Sequence, residues 1–170
     1  GAVLFAKNAD EHMPTSSMSK TMTMYLVFEA LKDGKLKMDE KLPVSVNAWK
    51  STYKSGGSRM FLKAGSEVTV SDLVRGVVIQ SGNDAAIVLA EALGGTEAGF
   101  ADMLNAKAKQ MGMDNSHFVD ASGMPDPNHY STARDLANLN VRLIHDFPEY
   151  YPIFAEMSFT YNNIKQGNRN

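Results

Sequence analysis

A chain of 170 residues, 44% of them hydrophobic, is long enough for one core and two small subdomains at most. A net charge of −2, with acids and bases interspersed, offers no basic surface to nucleic acid or to an anionic membrane. The absence of cysteine excludes disulfides, thiol catalysis and cysteine-ligated metals; His12, His117, His129 and His145 show no ligand spacing, and no apolar run reaches the ~20 residues a bilayer requires.

Gly1 followed by Ala2 to Lys7 reads as a turn glycine and a strand, and Asn8 to His12 as a turn. A strand at a chain start normally pairs with one upstream, so the natural protein is expected to be longer at this end. Pro14 closes an extended lead-in, Thr15 or Ser16 supplies an N-cap oxygen, and a helix is expected from Ser17 to about Lys32. Its apolar residues, among them Met18, Met22, Leu26, Phe28 and Leu31, fall on every face, the pattern of a buried helix. Gly34 suits its left-handed cap.

Ser17 and Lys20 stand one turn apart in that helix, roughly 4.5 Å of rise, so hydroxyl and amine can meet. A serine hydroxyl attacks only when a base takes its proton, and lysine is that base only if burial lowers its pKa. A greasy helix with a lysine in its first turn provides such burial, and the helix N-terminus favours the charge developing on attack. S-x-x-K also arises by chance around solvated lysines.

From Leu36 to Val70 the pattern is irregular, with short β-like pieces at Pro43 to Val46 and Glu67 to Val70 enclosing a turned segment, Ser55-Gly56-Gly57-Ser58. Trp49, Tyr53, Met60 and Phe61 around it line a groove or, as the plainer reading has it, cover a satellite core. Ser71-Asp72 caps a helix from Leu73 to Gln80, and a second apolar helix runs from Asp84 to Leu93. Between them the polar Ser81-Gly82-Asn83-Asp84 sits at a bend flanked by core, where polar groups are paired, cap a helix or face a cavity.

An amphipathic helix from Thr96 to Met111 stops at Gly112. Met113 to Tyr130 is a long irregular loop, of the sort that borders functional sites. Thr132-x-x-Asp135 caps a helix to about His145, Pro148 opens a short helical piece, and Ser158 to Tyr161 alternates as a strand.

The order Ser17-x-x-Lys20, then Ser81-Gly82-Asn83, resembles the first two signatures of the penicillin-interactive serine enzymes, whose set is S-x-x-K, S-D-N and K-T-G. Glycine at the centre of the second is similar to the D-alanyl-D-alanine carboxypeptidases, the low-molecular-mass penicillin-binding proteins. Their phrasing recurs in Gly1 to Leu4, Pro14 to Thr23, Gln80 to Ala86, Tyr130 to Ala137 and Asn168-Arg169-Asn170, so the likeness covers essentially the whole chain. It implies an α+β fold of the penicillin-binding protein and β-lactamase type, a helical subdomain with an incomplete antiparallel sheet.

By the same resemblance Ser17 is the acylated nucleophile and Lys20 its base; Ser81 relays a proton to the leaving D-alanine. Asn83 hydrogen-bonds the substrate and helps fix Lys20, Gly82 lies in the substrate-binding bend, and the Ser17 N–H forms half of the oxyanion hole. The implied substrate is the peptidoglycan stem peptide, the implied inhibitors are β-lactams, and the implied location is the periplasm or cell envelope. No cofactor, metal or nucleic acid is implied.

The third signature, Lys-Thr-Gly, is not in the sequence; Lys165-Gln166-Gly167 is rejected because it precedes Asn168-Arg169-Asn170, which in the family comes before the true motif. Residues 1–170 are therefore expected to be part of a catalytic domain, without the strands that complete its sheet, any membrane anchor and one wall of the cleft. Two other readings stand beside this one. A class A-like β-lactamase would need a deacylating glutamate where the chain has Asp135-Leu136-Ala137-Asn138, and a non-catalytic peptidoglycan- or β-lactam-binding module would fit the missing signature.

Overall fold

The computed structural model describes residues 2, 7–11, 13–14, 19–55, 59–122, 126–156, 158–161 and 164–167. Residues 3–6 of the expected strand at Ala2 to Lys7, the cap at Thr15 or Ser16, and Ser17 itself lie outside the described residues, as do Gly56-Gly57-Ser58 and Asn168-Arg169-Asn170.

The fold is built around α1 (Ser19–Lys32). Ser19, Lys20, Met22, Thr23, Met24, Tyr25, Leu26, Val27, Phe28, Ala30 and Leu31 are all buried, so the helix is covered on every side, as its sequence predicts. Gly34, at φ +77, ends it in the left-handed conformation that a side chain disfavours. Against α1 pack α3 (Val70–Gln80), α4 (Asn83–Gly94), α5 (Glu97–Gln110) and α6 (Ala133–Asp146). At its far end Phe28 stacks on Tyr150 at 5.2 Å, Tyr25 meets Phe147 edge-on at 4.9 Å, and the Tyr25 hydroxyl donates to Asp146 at 2.6 Å.

Among the described residues three short antiparallel ladders tie the helices together. β1 (Met13–Pro14) pairs with β4 (Tyr130–Ser131), β2 (Lys41–Pro43) with β3 (Glu67–Thr69), and β5 (Ser158–Tyr161) with β6 (Ile164–Gly167). In register, Met13 faces Ser131, Leu42 faces Val68 and Phe159 faces Gln166. The β1–β4 pair brings the lead-in to α1 against the end of the long loop.

Around β2 and β3 the structure departs from the sequence reading. Residues Val46–Ser55 form a helix, α2, where irregular chain was expected. The alternation of Pro43-Val44-Ser45-Val46 reads as a strand, but the Ser45 hydroxyl accepts the Ala48 N–H at 3.0 Å and starts a helix. Likewise α3 is capped by Thr69, whose hydroxyl accepts the Asp72 N–H, rather than by Ser71-Asp72: the last residue of β3 doubles as the cap. The helices at Thr96 and Thr132 start as expected, with each threonine accepting the N–H three residues on. The piece after Pro148 is a 3-10 turn, Tyr151–Ala155.

Candidate active site

The site is assembled at the first turn of α1, the bend between α3 and α4, and the loop at residues 118–122. Lys20 projects from α1 with 5% of its surface exposed. Burial lowers its pKa from 10.5 to about 8, because an ammonium loses hydration that the protein does not fully replace; the nearby Asp120 carboxylate pulls the other way. An amine at 8 is neutral in a useful fraction of molecules near neutral pH and can accept a proton.

At the bend, α3 closes with the Ser81 N–H donating to Val77 O at 3.0 Å and the Gly82 N–H to Gly76 O at 2.9 Å. Ser81 sits at φ +57, ψ +38, a left-handed conformation that costs a non-glycine residue roughly 1 kcal/mol. Glycine would be free of that cost, and the serine that stands here is half-buried at the bend. Gly82 N-caps α4 in extended conformation, and an added Cβ would come within 3.1 Å of Gly76 O, 3.2 Å of Asp84 Oδ1 and 3.3 Å of Met60 N. A side chain here would press on all three, and each would have to give by a few tenths of an ångström. Asn83 follows as the first residue of α4 and is buried.

The next residue, Asp84, was not singled out by the sequence and organises the bend. It is 1% exposed; Oδ1 accepts the Met60 N–H at 2.8 Å and the Ala85 N–H at 2.9 Å, while Oδ2 accepts the Leu62 N–H at 3.0 Å. Three N–H donors and the start of a helix compensate the buried charge. The signal in the sequence is an acid set among apolar helical residues, where burial demands partners. Met60, held by this clamp, wedges between the helices: a Cβ at Gly76 would collide with its sulfur.

The third wall is the loop before β4. Thr23, one turn beyond Lys20, donates to Ala121 O at 2.7 Å, and the Ser122 N–H returns to Asp120 Oδ1 at 3.1 Å. His129, buried, accepts the Val119 N–H on Nδ1 at 3.2 Å, and that nitrogen lies 3.8 Å from Asp120 Oδ1. Burial lowers the His129 pKa, against the opposing pull of the Asp120 and Asp126 carboxylates, and Nδ1 is engaged as an acceptor of the Val119 N–H. Asp120 carries no local motif; only the folded loop brings it toward Lys20 on α1.

The structure thus brings Lys20 on α1 and Ser81, Gly82 and Asn83 at the α3–α4 bend into packed elements, α1 lying against both α3 and α4. The pattern describing the D-alanyl-D-alanine carboxypeptidase family matches residues 1–170. The chain belongs to this family.

Its curated relatives include D-alanyl-D-alanine carboxypeptidase DacC of Escherichia coli, 45% identical over all of this chain and 43% of the relative. DacA of Haemophilus influenzae is 42% identical, also over all of this chain and 43% of the relative. This member of the family spans less than half the length of those relatives. Among solved structures, penicillin binding protein 5 from Haemophilus influenzae matches at TM-score 0.95 and 41% identity, covering 99% of this chain and 49% of that one. Penicillin binding protein 6B from Escherichia coli matches at 0.95 and 37%, covering 100% and 54%. The α+β fold expected from the resemblance is the one these neighbours share. Among the described residues no helix is long and apolar enough to cross a membrane.

Proposed function

We propose that this chain carries the serine half of a D-Ala-D-Ala carboxypeptidase site acting on peptidoglycan stem peptides. The buried Lys20 amine, at a pKa of about 8 and three residues after Ser17 in the sequence, is the observation that supports it best. In this reading the Ser17 oxygen attacks the carbonyl carbon of the penultimate D-alanine as Lys20 takes the hydroxyl proton. The Ser17 N–H supplies half of the oxyanion hole. The carbon–nitrogen bond then breaks, and Ser81 passes a proton to the departing D-alanine amine. Water attacks the resulting ester, with Lys20 again the base, and frees Ser17. Asn83 holds the peptide and Lys20, and Gly82 lets the bend close.

The Lys-Thr-Gly signature and the wall it stands on would come from residues outside this chain, which is then part of a catalytic domain. The same reading places the protein in the periplasm or cell envelope, working on the cell wall, with β-lactams as acylating inhibitors and no cofactor. The test is mass spectrometry of the intact protein after penicillin and after a D-Ala-D-Ala peptide. A stable penicillin adduct on Ser17 together with release of D-alanine is expected. No adduct, or one elsewhere, overturns the reading; rapid hydrolysis of the penicillin would make it a β-lactamase instead.

A further inference from the structure

The clamp at Asp84 has an effect on the outer side of the bend. Its two oxygens take the N–H groups of Met60 and Leu62, which draws both residues inward, Met60 at 0% and Leu62 at 4% exposed. The residue between them, Phe61, is turned out, 42% exposed at φ +66. A large side chain in the left-handed region is an outlier, held only where the surroundings over-determine it. Three buried hydrogen bonds to one carboxylate are such surroundings.

What this conformation does is pair Phe61 with Arg59. The Arg59 Cζ lies 5.0 Å from the Phe61 ring centroid and 5.2 Å from that of Tyr53, a residue of α2 that is itself exposed. Aromatic contact holds a guanidinium in place without using its N–H groups, which lie in its plane and remain able to bind a carboxylate. Among the described residues, which include every Asp and Glu of the chain, no carboxylate pairs with Arg59. The segment is also close to the candidate site, since Met60 N lies against Gly82 and Asp84 follows Asn83.

We propose that Arg59, held between Tyr53 and Phe61 on the segment clamped to the Ser81–Asn83 bend, is a subsite for a carboxylate carried by the peptide substrate upstream of the bond it presents to Ser17. This rests on the carboxypeptidase reading above and adds to it a preference for acidic peptides. A charge-assisted pair to a positioned guanidinium discriminates strongly, while the same peptide with that carboxylate amidated gains nothing from it.

The test uses two synthetic peptides ending in D-Ala-D-Ala, identical except that one upstream carboxylate is free in the first and amidated in the second. Affinities are measured by calorimetry on the intact protein carrying Ser17→Ala, so that no turnover is needed, with and without Arg59→Gln. The free acid is expected to bind about 10-fold or more tightly than the amide, and Arg59→Gln to erase that difference while leaving the amide's affinity unchanged. Arg59→Lys should restore part of it. Equal binding of the two peptides, no binding of either, or an equal loss for both in Arg59→Gln overturns the subsite. Failure of the catalytic reading would show elsewhere, as absence of D-alanine release by the protein with Ser17 intact.

Discussion

Lys20→Met is the substitution that probes the chemistry and the fold at once. Lowering a lysine pKa from 10.5 to about 8 corresponds to a cost on the order of 3 kcal/mol for holding the ammonium in place of the neutral amine. The folded protein binds the proton less tightly than the unfolded chain. The penalty is therefore in full force below about pH 8, is relieved as pH rises from about 8 to 10.5, and is gone above that. At pH 7 roughly a tenth of the molecules carry the neutral base, some 300-fold more than an unperturbed lysine would give. Acylation of Ser17 by a fluorescent penicillin, followed from pH 6 to 10, should rise about tenfold per pH unit and level off near pH 8. Lys20→Met should slow it by about 100-fold or more and, in urea titrations at pH 7, raise stability by up to about 3 kcal/mol, a gain that vanishes above pH 10.5. A flat profile, a midpoint that stays above pH 10, or acylation by Lys20→Met at the parent rate would refute the reasoning.

Two further outcomes follow from the same geometry. Asp120 raises the Lys20 pKa from across the loop, so Asp120→Asn should move the midpoint of that profile to lower pH with little change in the plateau; an upward move would show that Asp120 acts otherwise. Asp84→Ala strands three N–H groups, two of them on the Met60–Leu62 segment, and should cost about 3 kcal/mol in urea unfolding. A loss below ~0.5 kcal/mol would mean that the clamp is not what holds Phe61 outward.

The parts of the site written in contiguous residues could be read before the structure. The greasiness of α1 on every face announced its burial, and with it the fate of Lys20. The polar tetrad between two apolar helices announced the bend at Ser81. The rest depends on contacts between segments far apart. Ser45 looks like one tooth of a strand until its hydroxyl finds the Ala48 N–H, and nothing near Asp120 says that it will stand beside α1. Asp84 lay in plain view but read as one more residue of a helix start, because its partners, Met60 and Leu62, are more than twenty residues back. Ser81 had been recognised by its motif, and the structure adds that the backbone there is one that glycine would adopt more readily.

The bond from Thr23 to Ala121 joins residues 98 apart. A ribosome adding about 5–20 residues each second needs about 5–20 s to deliver the acceptor after the donor has been made. Over that interval the growing polypeptide carries an oily rod whose neighbours arrive one after another, with the loop at Ala121 and α6 among the last to come. The half-born chain, rather than the finished one, is then the form most prone to clump and most in need of a chaperone.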